Sequence, residues 1–174
     1  MTSRRSVLAG LAALASCSGG PAPGALGSEI PLFRRGIGVS HALGWAAVDA
    51  GGAYGAAPFS GPRFRFDAEQ RRAIRAAGFD FVRLAVDIGP FLVFSGAARD
   101  GLDALLVGTV RALLDADLGV VVDLHHSAMN PAYRPAALTM GVETQGFQAV
   151  LALQDRLAGL LGRLAGERQA AETP

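Results

Sequence analysis

From residue 34 onward, three short apolar runs alternate with amphipathic stretches. The runs are RRGIGVSHA at 34–42, GFDFVRLAVD at 78–87 and GVVVDLHH at 119–126. They are short, β-branched and apolar on both faces, the pattern of parallel strands buried beneath helices. Ahead of the second run, Asp67 followed by Gln70 three residues later reads as a capping-box helix start. Ile74 and Ala77 then take the inner face of that helix, and Gly78 supplies its left-handed stop. Ahead of the third run, Leu102, Leu105, Leu106, Val110, Leu113 and Leu114 form a stripe at three- and four-residue spacing. A last helix over 144–166 sets Phe147, Val150, Leu151, Leu157, Leu161 and Leu164 on one face.

This is β-loop-α three times over, in units of about forty residues. The pattern predicts an α/β fold of the (β/α)8 TIM-barrel type, incomplete, with 31–174 covering about the first three βα units. A closed barrel of this type takes roughly 250 residues. A doubly wound open sheet is the rival, but its glycine-rich phosphate turn is poorly matched. Gly36 and Gly38 precede Ser40 and His41, and no third glycine opens a helix. Three such units cannot cover both edges of their sheet, so a weakly cooperative, aggregation-prone product is expected.

Composition narrows the function classes. The chain has 174 residues, 51% hydrophobic and 18% charged, with a net charge of +1, so a packed core is expected and a nucleic-acid partner is not. The N-terminus MTSRRSVLAGLAALASC reads as an export signal: twin arginines, a short apolar run, then small residues. Ser3-Arg4-Arg5-Ser6-Val7-Leu8 resembles a twin-arginine motif, and Leu14-Ala15-Ser16-Cys17 resembles a bacterial lipobox. Cys17 is the only cysteine and cannot form an internal disulfide, which leaves lipidation as its expected use. Residues 1–17 are thus an export signal with lipobox, and the Gly/Pro/Ser-rich 18–30 a flexible linker. The protein is expected outside the bacterial cytoplasm, periplasmic or extracellular, as a monomer touching a membrane only through a lipid anchor.

Candidate chemistry gathers at the C-terminal ends of the three runs, where a barrel builds its site. The first end has Ser40-His41, the second Arg83 and Asp87, the third Asp123, His125 and His126. By strand parity Phe79, Phe81 and Arg83 share one face, as do Val121, Asp123 and His125, whereas His126 begins the loop. An arginine so placed needs an anionic partner. The plainer alternative is that Arg83 and Asp123 are a buried structural pair and the histidines ordinary loop residues. Adjacent histidines on a strand point to opposite faces, which disfavours one shared metal ion. No metal or cofactor is expected.

The segments RRGIGVSHALGW, GFDFVRLAVD and GVVVDLHH, in this order and spacing, resemble glycoside hydrolase family 5, the cellulase-type retaining glycosidases. Gly38 stands where the family often has asparagine, Ala42 where it often has tryptophan, and Ala85 where it has proline; Trp45 lies close enough to compensate. The resemblance implies a substrate that is a polysaccharide or oligosaccharide. It makes Arg83 the arginine that keeps the nucleophilic glutamate ionised, and His125 a histidine lining the −1 sugar subsite. His41, Trp45 and His126 become substrate-binding candidates. Family members use two glutamates about 5–5.5 Å apart, one of them in an Asn-Glu-Pro motif ending the fourth strand. Glu29, Glu69, Glu143, Glu167 and Glu172 neither follow an asparagine nor end an apolar strand. The chain is therefore expected to represent the N-terminal portion of such an enzyme, short of both catalytic glutamates and inactive alone, as from a truncated or frameshifted gene. Two other functions stay open: a non-catalytic exported lipoprotein or carbohydrate-binding remnant, and a metal-dependent hydrolase of another barrel family.

Overall fold

The computed structural model describes residues 33–126, 130–138 and 140–172. The export signal, Cys17 and the linker lie outside the described residues. The chain forms a mixed α/β fold around a parallel three-stranded sheet in the order β1-β2-β3. Strand β1 spans Gly36–Leu43, β2 Phe81–Asp87 and β3 Gly119–His125. Helix α1 (Ala68–Ala76) joins β1 to β2, and α2 (Ile88–Val93) with α3 (Gly96–Leu114) joins β2 to β3. After β3 come the short α4 (Pro135–Leu138) and the long α5 (Gln145–Glu172).

Local chemistry explains most of these boundaries. The Asp67 carboxylate accepts from Gln70 N at 3.0 Å while Gln70 Oε1 accepts from Asp67 N at 2.9 Å, closing the expected capping box. That backbone hydrogen bond from Gln70 is the leading cause holding Asp67 below the usual carboxylate range. Gly78 sits at φ 83°, the left-handed stop after α1. Asp117, at φ 59°, makes the corresponding turn before β3, and its carboxylate takes Arg75 Nη2 at 2.7 Å.

β2 is the central strand, and its Val82, Leu84 and Val86 are fully buried. Their register partners Ile37 and Val39 on β1, and Val120, Val122 and Leu124 on β3, belong to the same hydrophobic cluster. Leu102, Leu106, Val110 and Leu113 of α3 close over them, with Leu153, Leu157, Leu161 and Leu164 of α5. Ion pairs bind α5 to α3 along its length. Asp103, 5% exposed, lies between Arg99 and Arg156; Arg111 meets Glu167, and Asp115 meets Arg168. The Asp103 hydrogen bond holds the Arg156 guanidinium above its ordinary pKa.

Several sequence expectations shift by a residue or a face. The last helix runs on to Glu172, past the expected end at 166. Leu151 and Leu105, both assigned inward, are exposed. Leu153 takes the core position in α5, and two residues along a helix turn the side chain by about 200°. The stripe of α3 narrows to the 102-106-110-113 line, leaving Leu105 on its flank. Ala77 caps α1 and is exposed. The sequence pattern does not predict α2, whose N-cap is Asp87 and whose Pro90 lies in the first turn, where no intrahelical N–H is needed.

The helices cover one face of the sheet. On the other face Gly36, Phe81 and Gly119 stand side by side in register, then Gly38, Arg83 and Val121, then Ala85 beside Asp123, then Asp87 beside His125. The two glycines of the first row make room for two rings. A Cβ on Gly36 would lie 2.1 Å from the Phe81 ring, and one on Gly119 would lie 2.2 Å from the Phe33 ring. The two ring centroids lie 4.8 Å apart with the planes tilted by 36°, and the pair floors the N-terminal end of this face. Gly36→Ala should therefore cost about 2 kcal/mol, the ordinary penalty for overpacking. Urea denaturation checks it, and a loss indistinguishable from zero would mean that the rings shift freely.

Candidate functional site

Above the phenylalanine floor the helix-free face becomes polar. Arg83 lies on β2 between Gly38 and Val121, and nothing lies within 4 Å of the place a Gly38 side chain would start. Its guanidinium reaches diagonally to β3, with Nη2 2.7 Å from Asp123 Oδ2. His125, two residues further along β3, sets its Nε2 2.5 Å from that same oxygen. Parity is what brings the three together, since alternate residues of a strand share a face and parallel neighbours lie about 4.8 Å apart. Arg83 and His125 thus meet on one carboxylate oxygen.

This is no buried structural pair. The Arg83 side chain is 58% exposed, that of His125 44% and that of Asp123 25%. Both contacts are close in distance, yet Asp123 Oδ2 is buried and, among the described residues, has no donor aligned for a hydrogen bond. The guanidinium of Arg83 and the carboxylate of Asp123 form an ion pair, and His125 closes on the same oxygen. A guanidinium carries five N–H donors, so an arginine bound at one corner still offers donors to whatever lies over the face. The arrangement suits a ligand rich in hydroxyl or carboxylate oxygens. Among the described residues no group of three His, Cys, Asp or Glu side chains could hold a metal ion.

The other sequence candidates separate. His126 is exposed, one residue past the end of β3. His41 is drawn off to the segment before α1, where its Nε2 pairs with the Arg65 carbonyl at 3.2 Å and its ring stands edge-on to Phe66 at 5.5 Å. The cause lies in β1, whose register shifts between Val39 and Leu43 as Gly44 N bonds to Ser40 O at 2.8 Å. That irregularity breaks the parity on which a strand-end reading of Ser40 and His41 depends. Asp87 is also not part of the row. It is 1% exposed, and its two oxygens accept from Ala46 N at 3.1 Å and Gly89 N at 2.9 Å. It caps α2 and anchors the chain after β1. Trp45, half exposed, immediately precedes the anchored Ala46 and so stands at the His125 end of the sheet. Glu69, Glu143 and Glu167 are exposed, and Glu167 pairs with Arg111.

Three residues at this end went unread in the sequence. Asn130 accepts from Ala132 N at 2.9 Å through its side chain and donates to Gly52 O at 2.7 Å. Asn before Pro131 is a cap signal, and could have been noticed. Tyr54 and Tyr133, the only tyrosines, bring their rings to 6.2 Å, and burial raises the Tyr133 pKa above its ordinary value. No local pattern marks that pairing. No protein-family model, no curated protein and no solved structure matches the chain. Among the described residues no helix is long and apolar enough to cross a membrane.

Proposed function

We propose that the chain supplies the first three βα units of a retaining, cellulase-like glycoside hydrolase barrel, exported by its twin-arginine signal and anchored through Cys17. The row Arg83–Asp123–His125 is its contribution to the sugar site. The supporting observation is that this row runs along the parallel strands β2 and β3, from Arg83, the third residue of β2, to His125 at the C-terminal end of β3, on the face that the helices leave bare. Parallel sheets are ordinarily covered on both faces, and closing the sheet into a barrel with further strands would make this face the interior. There the guanidinium of Arg83 would stabilise an incoming glutamate as the anion, because a nearby cation lowers a carboxylate's pKa. His125, held by Asp123, would present its ring to the sugar.

Trp45, the only tryptophan, gives a direct test. Its fluorescence is followed as cellohexaose is added, for the wild-type chain and Arg83→Ala. A saturable change in the wild type, weakened at least about tenfold by the substitution, is expected, since removing a charged hydrogen-bond partner costs about 1.5–3 kcal/mol. A wild-type chain that shows no saturable response, or one that Arg83→Ala leaves unaltered, rules the proposal out.

A further inference from the structure

The segment after β1 is built as a small hairpin. Val48 and Tyr54 form an antiparallel bridge. The Asp49 carboxylate gathers Gly51 N at 2.8 Å and Ala53 N at 2.9 Å, while Gly52 N bonds to Asp49 O at 3.0 Å. Gly52, at φ 83°, forms the tip. The base of the hairpin is fixed by Asp87, which takes Ala46 N. Its tip is fixed by a residue 78 positions away, Asn130, whose Nδ2 donates to Gly52 O. Around that bond the Pro131 ring comes close to Gly52, and Tyr54 lies against both Tyr133 and Gly89. The three connections that follow β1, β2 and β3 therefore converge, with Asn130 at the joint.

We propose that Asn130 is a positioning residue. Its carboxamide clasps the hairpin to the segment that begins at Asn130, and so holds Trp45 on one frame with the Arg83–Asp123–His125 row. This rests on the sugar-site proposal above. The two ends of the carboxamide do different work: Oδ1 caps the 3-10 turn Pro131–Tyr133, and Nδ2 donates across to Gly52 O. The two functions can therefore be separated. Asn130→Asp keeps an acceptor for Ala132 N and loses the donor to Gly52, whereas Asn130→Ala loses both.

The experiment compares the full chain with both variants by amide hydrogen exchange over residues 46–56, and by Trp45 fluorescence with acrylamide and with cellohexaose. Breaking one neutral hydrogen bond should speed exchange in the hairpin about fivefold in each variant. Cellohexaose affinity should fall by a similar factor. As pH drops through about 4, the introduced aspartate protonates and regains a donor. Acrylamide quenching of Trp45 should then return toward the wild-type value in Asn130→Asp and not in Asn130→Ala. Hairpin exchange that neither variant changes overturns the clasp. Faster exchange with undiminished cellohexaose affinity overturns the positioning role. If the wild type itself ignores cellohexaose, the sugar-site proposal fails, while exchange and acid rescue still decide the clasp.

Discussion

Replacing Asp87 by alanine should destabilise the chain by about 3–4 kcal/mol. The side chain is 1% exposed and serves two backbone donors, Ala46 N and Gly89 N. Alanine would leave both buried N–H groups without their acceptor, at about 1–3 kcal/mol each. Part of that cost is offset because a buried charge also disappears. The Asp87→Asn variant keeps one accepting oxygen and turns an amino group toward the second donor, so its loss should be intermediate. Urea denaturation read by Trp45 emission suits the measurement, because Trp45 adjoins the freed Ala46. The same variants should also speed amide exchange at the base of the 48–54 hairpin. Losses below about 1 kcal/mol in both variants, the net worth of one ordinary hydrogen bond, would show that water replaces the carboxylate at no great cost. Asp87 would then not anchor this end of the sheet.

On the proposed barrel reading, His125→Ala in a chain completed by strands that carry the two glutamates should lower glycosidic turnover more than about a hundredfold. Removing one positioned polar contact in a site closed to water commonly costs about 3 kcal/mol of transition-state stabilisation. The loss has a second part here, since His125 Nε2 is one of the two groups that meet Asp123 Oδ2, and Arg83 is the other. Without the imidazole the carboxylate can swing, and Arg83 with it. His126→Ala should cost far less, because His126 is exposed beyond the strand. Turnover measured on a soluble cello-oligosaccharide distinguishes the two. Should His126 prove the more damaging change, Asp123 and His125 would not be the side of β3 that faces the substrate.

Much of the architecture was legible along the chain because its causes are local. The capping box of Asp67 and Gln70 and the left-handed Gly78 each depend on residues within a few positions of one another. Strand parity is equally local, which is why Arg83, Asp123 and His125 could be set on common faces before any pairing was known. The polar end of β3 was placed correctly, but Arg83, read as a residue at the end of β2, is the third of that strand, opposite Val121, and reaches Asp123 only by leaning along the sheet. The end of β1 was misread, because its register shift depends on how Gly44 folds back on Ser40, and with it His41 turned to Phe66 and Arg65.

By itself, then, the sequence determined the alternation of the three strands with α1, α3 and α5, the cap and stop of α1, and the shared face of the polar residues on β2 and β3. All of these follow from side-chain period and backbone preference within a single element. Only the tertiary structure decided which polar residues work and which merely hold. Asp87 and Arg83 lie on the same strand and face, yet Asp87 is buried against the hairpin base and α2, while Arg83 stands open beside Gly38. Likewise the contacts of Asn130 with Gly52, and of Tyr54 with Tyr133, join residues nearly eighty positions apart. Such contacts exist only once β1, β2 and β3 have paired and brought their connections to one end of the sheet. Burial and long-range partners are properties of that assembly, and no period in the chain encodes them.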